Sequence, residues 1–405
     1  MQESVLARKA IILCDDHTID GDLIGTFTRW LYNQRWLGEF TPQWFDETGV
    51  KSAYRRLNKW SWQGTFLEII STFRGLEATD PRDKIYALLG LLQFNPELDV
   101  KIVADYRKSL PEVLFDTIKE SIHTEGNLHF LSHIHYQPEL EHRGDLPSWM
   151  PRWDQTREPW QDYLWCETSS ISASRSKQLH DFPSLYAPKL HLKGVHVDII
   201  VFVTNILEIR PIYTGSTIAE FIREYLADAQ KRIDGLAFEY SSALVILSTT
   251  LTGGFLETGG WAEQKAYLER ITTSTGHQFL ADFVSFINHY FPGQCIDRQR
   301  IADFCDPTLR GRFEAYEKLL IYCSGRRIFR TAQGHIGLGP TCMKRGDVVA
   351  VLDGGKVPYV LRPSRVEGEH AFVGECFVRD LMSGQAYDML QAGRNGVEER
   401  EFILR

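Results

Sequence analysis

The chain has 405 residues, 43% of them hydrophobic and 24% charged, and a net charge of −8. That is enough length for two or three domains with real cores. The acidic balance excludes a nucleic-acid surface as the main business, because phosphate contact needs a concentrated basic face. The 10 Trp, 16 Tyr and 23 Phe exclude disorder, and no apolar run approaches the roughly 20 residues that span a bilayer.

Seven cysteines (Cys14, Cys166, Cys295, Cys305, Cys323, Cys342 and Cys376) lie scattered without a C-x-x-C pair. Zinc-ribbon and redox readings are therefore poor, and most of the cysteines read as buried small hydrophobes. The odd count and the absence of a signal peptide set the expectation of a reducing, cytoplasmic location. Short basic clusters such as Arg55-Arg56 and Lys344-Arg345 read as solvated faces.

In chain order, Ala10 to Cys14 forms a short predicted strand closed by a turn at Asp15-Asp16-His17. A helix then opens at Ile19-Asp20 and carries Leu23, Ile24, Phe27, Trp30 and Leu31 at helical spacing. Residues 34–60 are rich in Trp, Tyr and Arg without a clear period. Thr65 to Phe73 is amphipathic and stops at Gly75.

The run Thr79 to Leu91 reads as a well-capped helix. Asp80 is the N-cap, Pro81 fills the first turn and Asp83 faces the positive end of the helix dipole. Ile85, Leu88 and Leu89 form its apolar face, and Gly90 ends it in a left-handed conformation. Arg82 between Asp80 and Asp83 suits a bidentate pair that pins two elements together. Ser109-Leu110-Pro111-Glu112 is a capping box for a helix carrying Val113, Leu114, Ile118 and Ile122, ended by Gly126. In Leu146-Pro147-Ser148-Trp149-Met150-Pro151-Arg152-Trp153 the two prolines force an extended path, and Trp149 and Trp153 read as core plugs.

From Leu190 the character changes. His191 to Ile199 alternates like a strand, and Ile199 to Val203 is apolar but short, so it reads as buried strand. Residues 216–235 and 262–290 return to helical spacing, whereas Thr249 to Gly254 and Thr258 to Gly260 read as loops. After Leu319 the chain reads as β throughout, with short strands at Ile328–Thr331, Val348–Leu352, Tyr359–Arg362 and Ala371–Gly374 at the interval of a small barrel or sandwich. Asp353-Gly354-Gly355 is a hairpin turn. Gly346-Asp347 is a turn whose carboxylate bonds nearby backbone.

Three constellations invite chemistry and fail on context. Gly334 to Gly339 lacks the following helix of a phosphate loop, since Pro340 and more strand follow, so its glycines read as tight turns. His129, His133 and His135 lie close, but no carboxylate completes a zinc-binding helix pattern. No Gly-x-Ser-x-Gly elbow occurs. No catalytic residue, cofactor or metal is therefore assigned.

The run Asp80-Pro81-Arg82-Asp83-Lys84-Ile85-Tyr86-Ala87-Leu88-Leu89-Gly90-Leu91 resembles a signature of fungal heterokaryon-incompatibility (HET domain) proteins, found just after the HET core. Ala104 to Ser109 with Glu112-Val113, and Leu146 to Trp153, are similar to further segments of that family. So are Arg326 to Thr331, Gly337 to Pro340, Gly346-Asp347, Val357 to Arg362, and Gly374 to Ala386. The resemblance makes Asp80, Pro81, Arg82, Asp83, Tyr86, Trp149, Trp153, Gly337, Gly339, Gly346 and Asp347 structural signature residues. The SYVWG-like and IDAICINQ-like segments of the core do not occur, and Met1-Gln2-Glu3 with Leu6-Ala7-Arg8 resembles the segment that closes it. The expectation is a chain that begins near the end of the HET domain, as a truncated product, a mis-set start or a core-less paralogue.

The fold expected is α+β, with helical N-terminal and middle regions and a small C-terminal antiparallel β-barrel or sandwich. The expected divisions are 1–78, 79–189, 190–318 and 319–405. The resemblance implies fungal non-self recognition with programmed cell death as the family's output, here as a scaffold or regulatory module without catalysis of its own. Its expected partners are other proteins, with no nucleic acid and no membrane. The alternative is a small-molecule-binding protein or enzyme of fungal metabolism on the same scaffold, which a ligand-sized pocket with convergent His, Asp or Cys side chains would favour.

Overall fold

The computed structural model describes residues 10–34, 65–92, 98–134, 146–155, 171–175, 179, 185–186, 189–207, 217–231, 237–254, 274–291, 306 and 308–405. The segment from Met1 to Arg8, residues 35–60 with Arg55 and Arg56, His135, Cys166, Cys295, Cys305 and the Thr258–Gly260 loop lie outside the described residues. The chain divides into two compact units. The first comprises Met1–His133 with Met150–Asp162, and the second Ile134–Trp149 with Tyr163–Arg405.

The first unit opens with a hairpin of β1 (Ile11–Cys14) and β2 (His17–Asp20), in register from Ile11↔Asp20 to Cys14↔His17. The turn expected at 15–17 is there, but His17 already begins a second strand. Helix α1 (Gly21–Gln34) follows. Helix α2 (Phe66–Phe73) starts on a capping box, with the Glu68 amide donating to Thr65 Oγ1 at 3.3 Å and the Thr65 amide to Glu68 Oε2 at 2.8 Å. Helix α3 (Asp83–Leu89) buries Ile85, Tyr86 and Leu88.

Helix α4 (Leu110–Glu125) is capped as its sequence predicts. Glu112 accepts from the Ser109 amide at 2.7 Å, Pro111 sits in the first turn, and Gly126 closes the helix at φ +64°. Its apolar face, Val113, Leu114, Ile118 and Ile122, is buried. The short helix α5 (His129–Ser132) follows.

The second unit carries the sheet. Strand β3 (Leu185–Tyr186) pairs with the start of β4 (Lys189–Val203). A helical set follows: α6 (Thr217–Lys231), α7 (Ala237–Leu251), α8 (Ser274–Tyr290) and α9 (Phe313–Leu319). Phe279, Phe283 and Phe286 of α8 surround the buried Tyr316 of α9, whose hydroxyl donates to Ser248 O of α7 at 2.8 Å. The remaining strands are β5 (Arg327–Thr331), β6 (Ile336–Gly339), β7 (Val348–Leu352), β8 (Tyr359–Pro363) and β9 (Glu369–Glu375). Helix α10 (Gln385–Gln391) and strand β10 (Glu398–Leu404) end the chain.

The pairing closes. Strand β4 bonds antiparallel to both β7 and β10, β7 continues through β8 to β9, and β9 returns to β10 in parallel at Ile403↔Glu369 and Leu404↔His370. Five strands thus form a ring, so of the two expected architectures the barrel is realised. The far end of β4 leaves the ring to pair with β5, which carries β6. Val195, Val197, Val349, Val351, Val360 and Val373 form one buried cluster with Ala386, Tyr387 and Met389 of α10. Alternation in β4 is lost across Val195 to Asp198, all buried, because α10 packs beside this strand.

The structure corrects several expectations. Thr249 to Leu251 are the last turn of α7 and not a loop. That helix is largely buried along its described length, so no amphipathic period marked it. The Thr249 hydroxyl is satisfied within the helix by Val245 O at 2.7 Å. Helix α3 starts at Asp83 rather than Pro81, and Gly90 ends it right-handed at φ −66°. The region after Leu319 is not β throughout: a 3-10 turn spans Leu320–Cys323, another Arg379–Leu381, and α10 follows. Gly337 and Gly339 lie within β6, and the turn glycine is Gly334 at φ +93°.

Candidate functional site

The residues that carry the family resemblance converge in the first unit on backbone oxygens. The Asp80 carboxylate does not cap α3. It accepts from the Arg82 amide at 2.9 Å and grips the Arg82 guanidinium at 2.9 and 2.6 Å. The other arm of Arg82 reaches Tyr106 O at 2.7 Å and Lys108 O at 2.9 Å. Tyr86 donates to Asp105 O at 3.1 Å, and the Tyr106 hydroxyl returns to Asp83 Oδ1 at 2.5 Å. The predicted Arg–carboxylate pair thus pins residues 80–86 to 105–108. Hydrogen bonds from the Arg82 side chain and amide hold the Asp80 carboxyl well down, at about 2, and Arg107 does the same to Asp105.

A second latch in this unit escaped the sequence reading. Arg74, 5% exposed, donates to Gln155 O at 2.9 Å, His133 O at 3.0 Å and Arg152 O at 2.6 Å. Lys84 donates to Arg74 O at 3.1 Å and to Leu76 O. No local pattern announces these bonds, because an arginine after a helix is ordinary and its acceptors are backbone atoms about 60 to 80 residues away. Trp153 is fully buried here, edge-on to the ring of His133 at 6.3 Å. His129 pairs with Glu125 at 3.0 Å, and its ring meets that of His133 edge-on at 5.7 Å.

The remaining signature residues serve the second unit. Trp149 is fully buried. Its neighbour Ser148 accepts from the Phe372 amide at 2.9 Å and bonds the carbonyl of the terminal Arg405 through both its amide and its hydroxyl. A Cβ on Gly337 would stand 2.4 Å from the Phe329 ring and 2.6 Å from Phe377 O, and one on Gly339 would stand 2.7 Å from Met343 Sδ. Gly346 turns the chain at φ +89°. The buried Asp347 accepts from the Lys344 amide at 2.7 Å, as its turn predicts, and also from Arg362 at 2.9 and 3.1 Å.

Beyond these latches the second unit holds a cavity of about 480 Å³, lined by His335, Asp380, Gln385, Asp388, Met389, Ala392 and Arg394. Three elements build it. Asp198 of β4 accepts from the Gln333 amide at 2.7 Å, and Thr331 Oγ1 from the His335 amide at 3.1 Å, which fixes the β5–β6 turn. The 3-10 turn at Arg379–Leu381 brings Asp380. Helix α10 supplies Gln385, Asp388 and Met389, with Ala392 just after it; the i, i+3, i+4, i+7 spacing makes them one face. Tyr387, on the next face, donates to Asp353 Oδ1 at 2.5 Å and anchors the helix to the β7–β8 turn.

Burial holds the His335 imidazole below its ordinary value, with Arg394 acting in the same direction and Asp380 and Asp198 against it. The helical spacing in 385–392 was the one signal of this cavity that the sequence carried. Among the described residues, no group of three or more His, Cys, Asp or Glu could hold a metal ion, and no helix is long and apolar enough to cross a membrane.

Residues 298–396 match the family model described as the Het-6 beta-barrel domain, and the cavity lies wholly within that stretch. Over 356 residues the chain is 24% identical to "Heterokaryon incompatibility protein 6, OR allele" of Neurospora crassa, with 76% of this chain and 49% of that protein covered. The chain therefore spans about half the length of the curated relative it matches. No solved structure matches it. Both matches support a heterokaryon-incompatibility family protein, the family the sequence resembles.

Proposed function

We propose that this chain is a recognition scaffold in fungal non-self recognition of the heterokaryon-incompatibility kind, working through contacts with other proteins in the cytoplasm and performing no chemistry itself. The observation that supports this reading is where the signature side chains go. Arg82, Asp83, Lys84 and Tyr86 all bond back onto the chain, chiefly to its carbonyls, so the residues that carry the resemblance serve to hold segments together. Programmed cell death is the output of the family, and this chain alone does not trigger it. Expression in a filamentous fungal host tests the proposal. Normal growth is expected, whereas arrest comparable to that from a full-length relative would overturn it.

A second reading, a small-molecule site on the same scaffold, is favoured by one observation: the cavity beside α10 brings His335, Asp380 and Asp388 together in a space of ligand size.

A further inference from the structure

We propose that the cavity between the β5–β6 turn, the 379–381 turn and α10 binds a small zwitterion of the α-amino-acid class, with the carboxylate on Arg394, the ammonium on Asp380 and Asp388, and the ligand's apolar part on Met389 and Ala392. This rests on the small-molecule reading above and names its ligand.

The argument is one of charge and room. Arg394 is exposed and makes no ion pair or side-chain hydrogen bond among the described residues, so its guanidinium remains open to an anionic group. The two carboxylates of the cavity wall are already touched by arginines, but not saturated. Asp388 meets Arg175 through Oδ1 while its side chain is 64% exposed, and Asp380 meets Arg379 at a long 3.4 Å while 41% exposed. A carboxylate has about four acceptor sites, so each can take an ammonium as well.

A plain anion would still bring its charge beside two carboxylates that Arg175 and Arg379 meet only in part. A plain cation would face Arg394. A zwitterion answers both signs without leaving either uncompensated. His335 and Met389 complete the wall, one a hydrogen-bonding ring and the other a buried thioether that adapts to different apolar shapes. The Gln385 Oε1 is already held by the Ser383 amide at 2.8 Å, which leaves its NH2 group to donate. The volume of about 480 Å³ suits a ligand of this size.

Saturation-transfer NMR on the full chain tests this with L-leucine, L-methionine, L-glutamate and L-lysine. Beside them go 4-methylpentanoate, which is leucine without its amine, and isoamylamine, which is leucine without its carboxylate. Saturable binding of at least one amino acid at about 1 mM or tighter is expected. For leucine, binding should exceed that of both truncated analogues by about tenfold. Arg394→Gln and Asp380→Asn should each weaken it by a similar factor. Both positions are solvent-accessible, and an unchanged thermal midpoint without ligand verifies that the variants fold. Equal binding of an analogue and its parent amino acid would overturn the zwitterion class and leave a ligand site standing. No binding by any compound, or binding that both variants leave unchanged, would overturn the ligand site as well.

Discussion

Replacing Arg74 by methionine removes the charged fork while keeping most of the apolar stem. Three backbone carbonyls, at Gln155, His133 and Arg152, then lose a cationic donor in a site where Arg74 is only 5% exposed. Hydrogen bonds to a charged group are worth about 1.5–3 kcal/mol each, which sets an upper bound near 5–9 kcal/mol. The variant also escapes the several kcal/mol needed to strip water from a guanidinium. The expected net loss is about 3 kcal/mol, or ~100-fold in the opening equilibrium of the first unit. Hydrogen exchange on the full chain reads this directly. Amides of α2 and α5 should exchange about 100-fold faster, while those of β7 in the other unit keep their protection. Arg74→Lys keeps the charge but not the fork, and should fall between. A loss below about 1 kcal/mol in urea unfolding would refute the idea that this guanidinium fastens the unit.

Gly194→Ala should destabilise the barrel by about 2–3 kcal/mol in urea unfolding, because its Cβ would stand 2.4 Å from Val351 O and 2.9 Å from Leu352 Cα, backbone atoms of the neighbouring strand. Gly75→Ala meets nothing within 4 Å and should be near neutral, which makes it the control. In native protein treated with maleimide, Cys14 should label and Cys323, Cys342 and Cys376 should not: Cys14 is exposed, the other three are buried, and burial pushes the Cys323 thiol up to about 12. Labelling of Cys323 at the rate of Cys14 would contradict its placement. Burial lowers the pKa values of His335 and His370 below the ordinary 6.5. Stability from keeping them neutral is then complete above that value and is lost as pH falls through their lowered values. Acid should therefore weaken the fold from about pH 6.5 downward, and His335→Gln should flatten that slope in a pH series of thermal midpoints. An unchanged slope in the variant would argue against a role for His335.

The sequence resolved much of this chain where the physics is local. The Ser109–Glu112 capping box, the left-handed Gly126 and the Gly346–Asp347 turn each depend on atoms within a few residues, so residue type is enough to reveal them. Helix α7 shows the limit: its described residues are largely buried, so it has no polar stripe to give it a period. Asp80 shows another. An acidic residue before a proline suits an N-cap, but Arg82 competes for the same carboxylate and takes it, and the helix starts later.

By itself the sequence determined an α+β chain with capped helices, short C-terminal strands and the segments that tie it to a family. Only the tertiary structure decided that the strands close into a ring. Strand β4 must accept β10 along Leu190 to His196, about 200 residues away, and no pattern within either strand names that partner. It also decided which carbonyls Arg74 and Arg82 hold, and that His335, Asp380 and Arg394 share one cavity. The physical reason is common to all three: a backbone carbonyl is the same acceptor at every residue, and the company a side chain keeps is set by packing across the fold rather than by its neighbours in the chain.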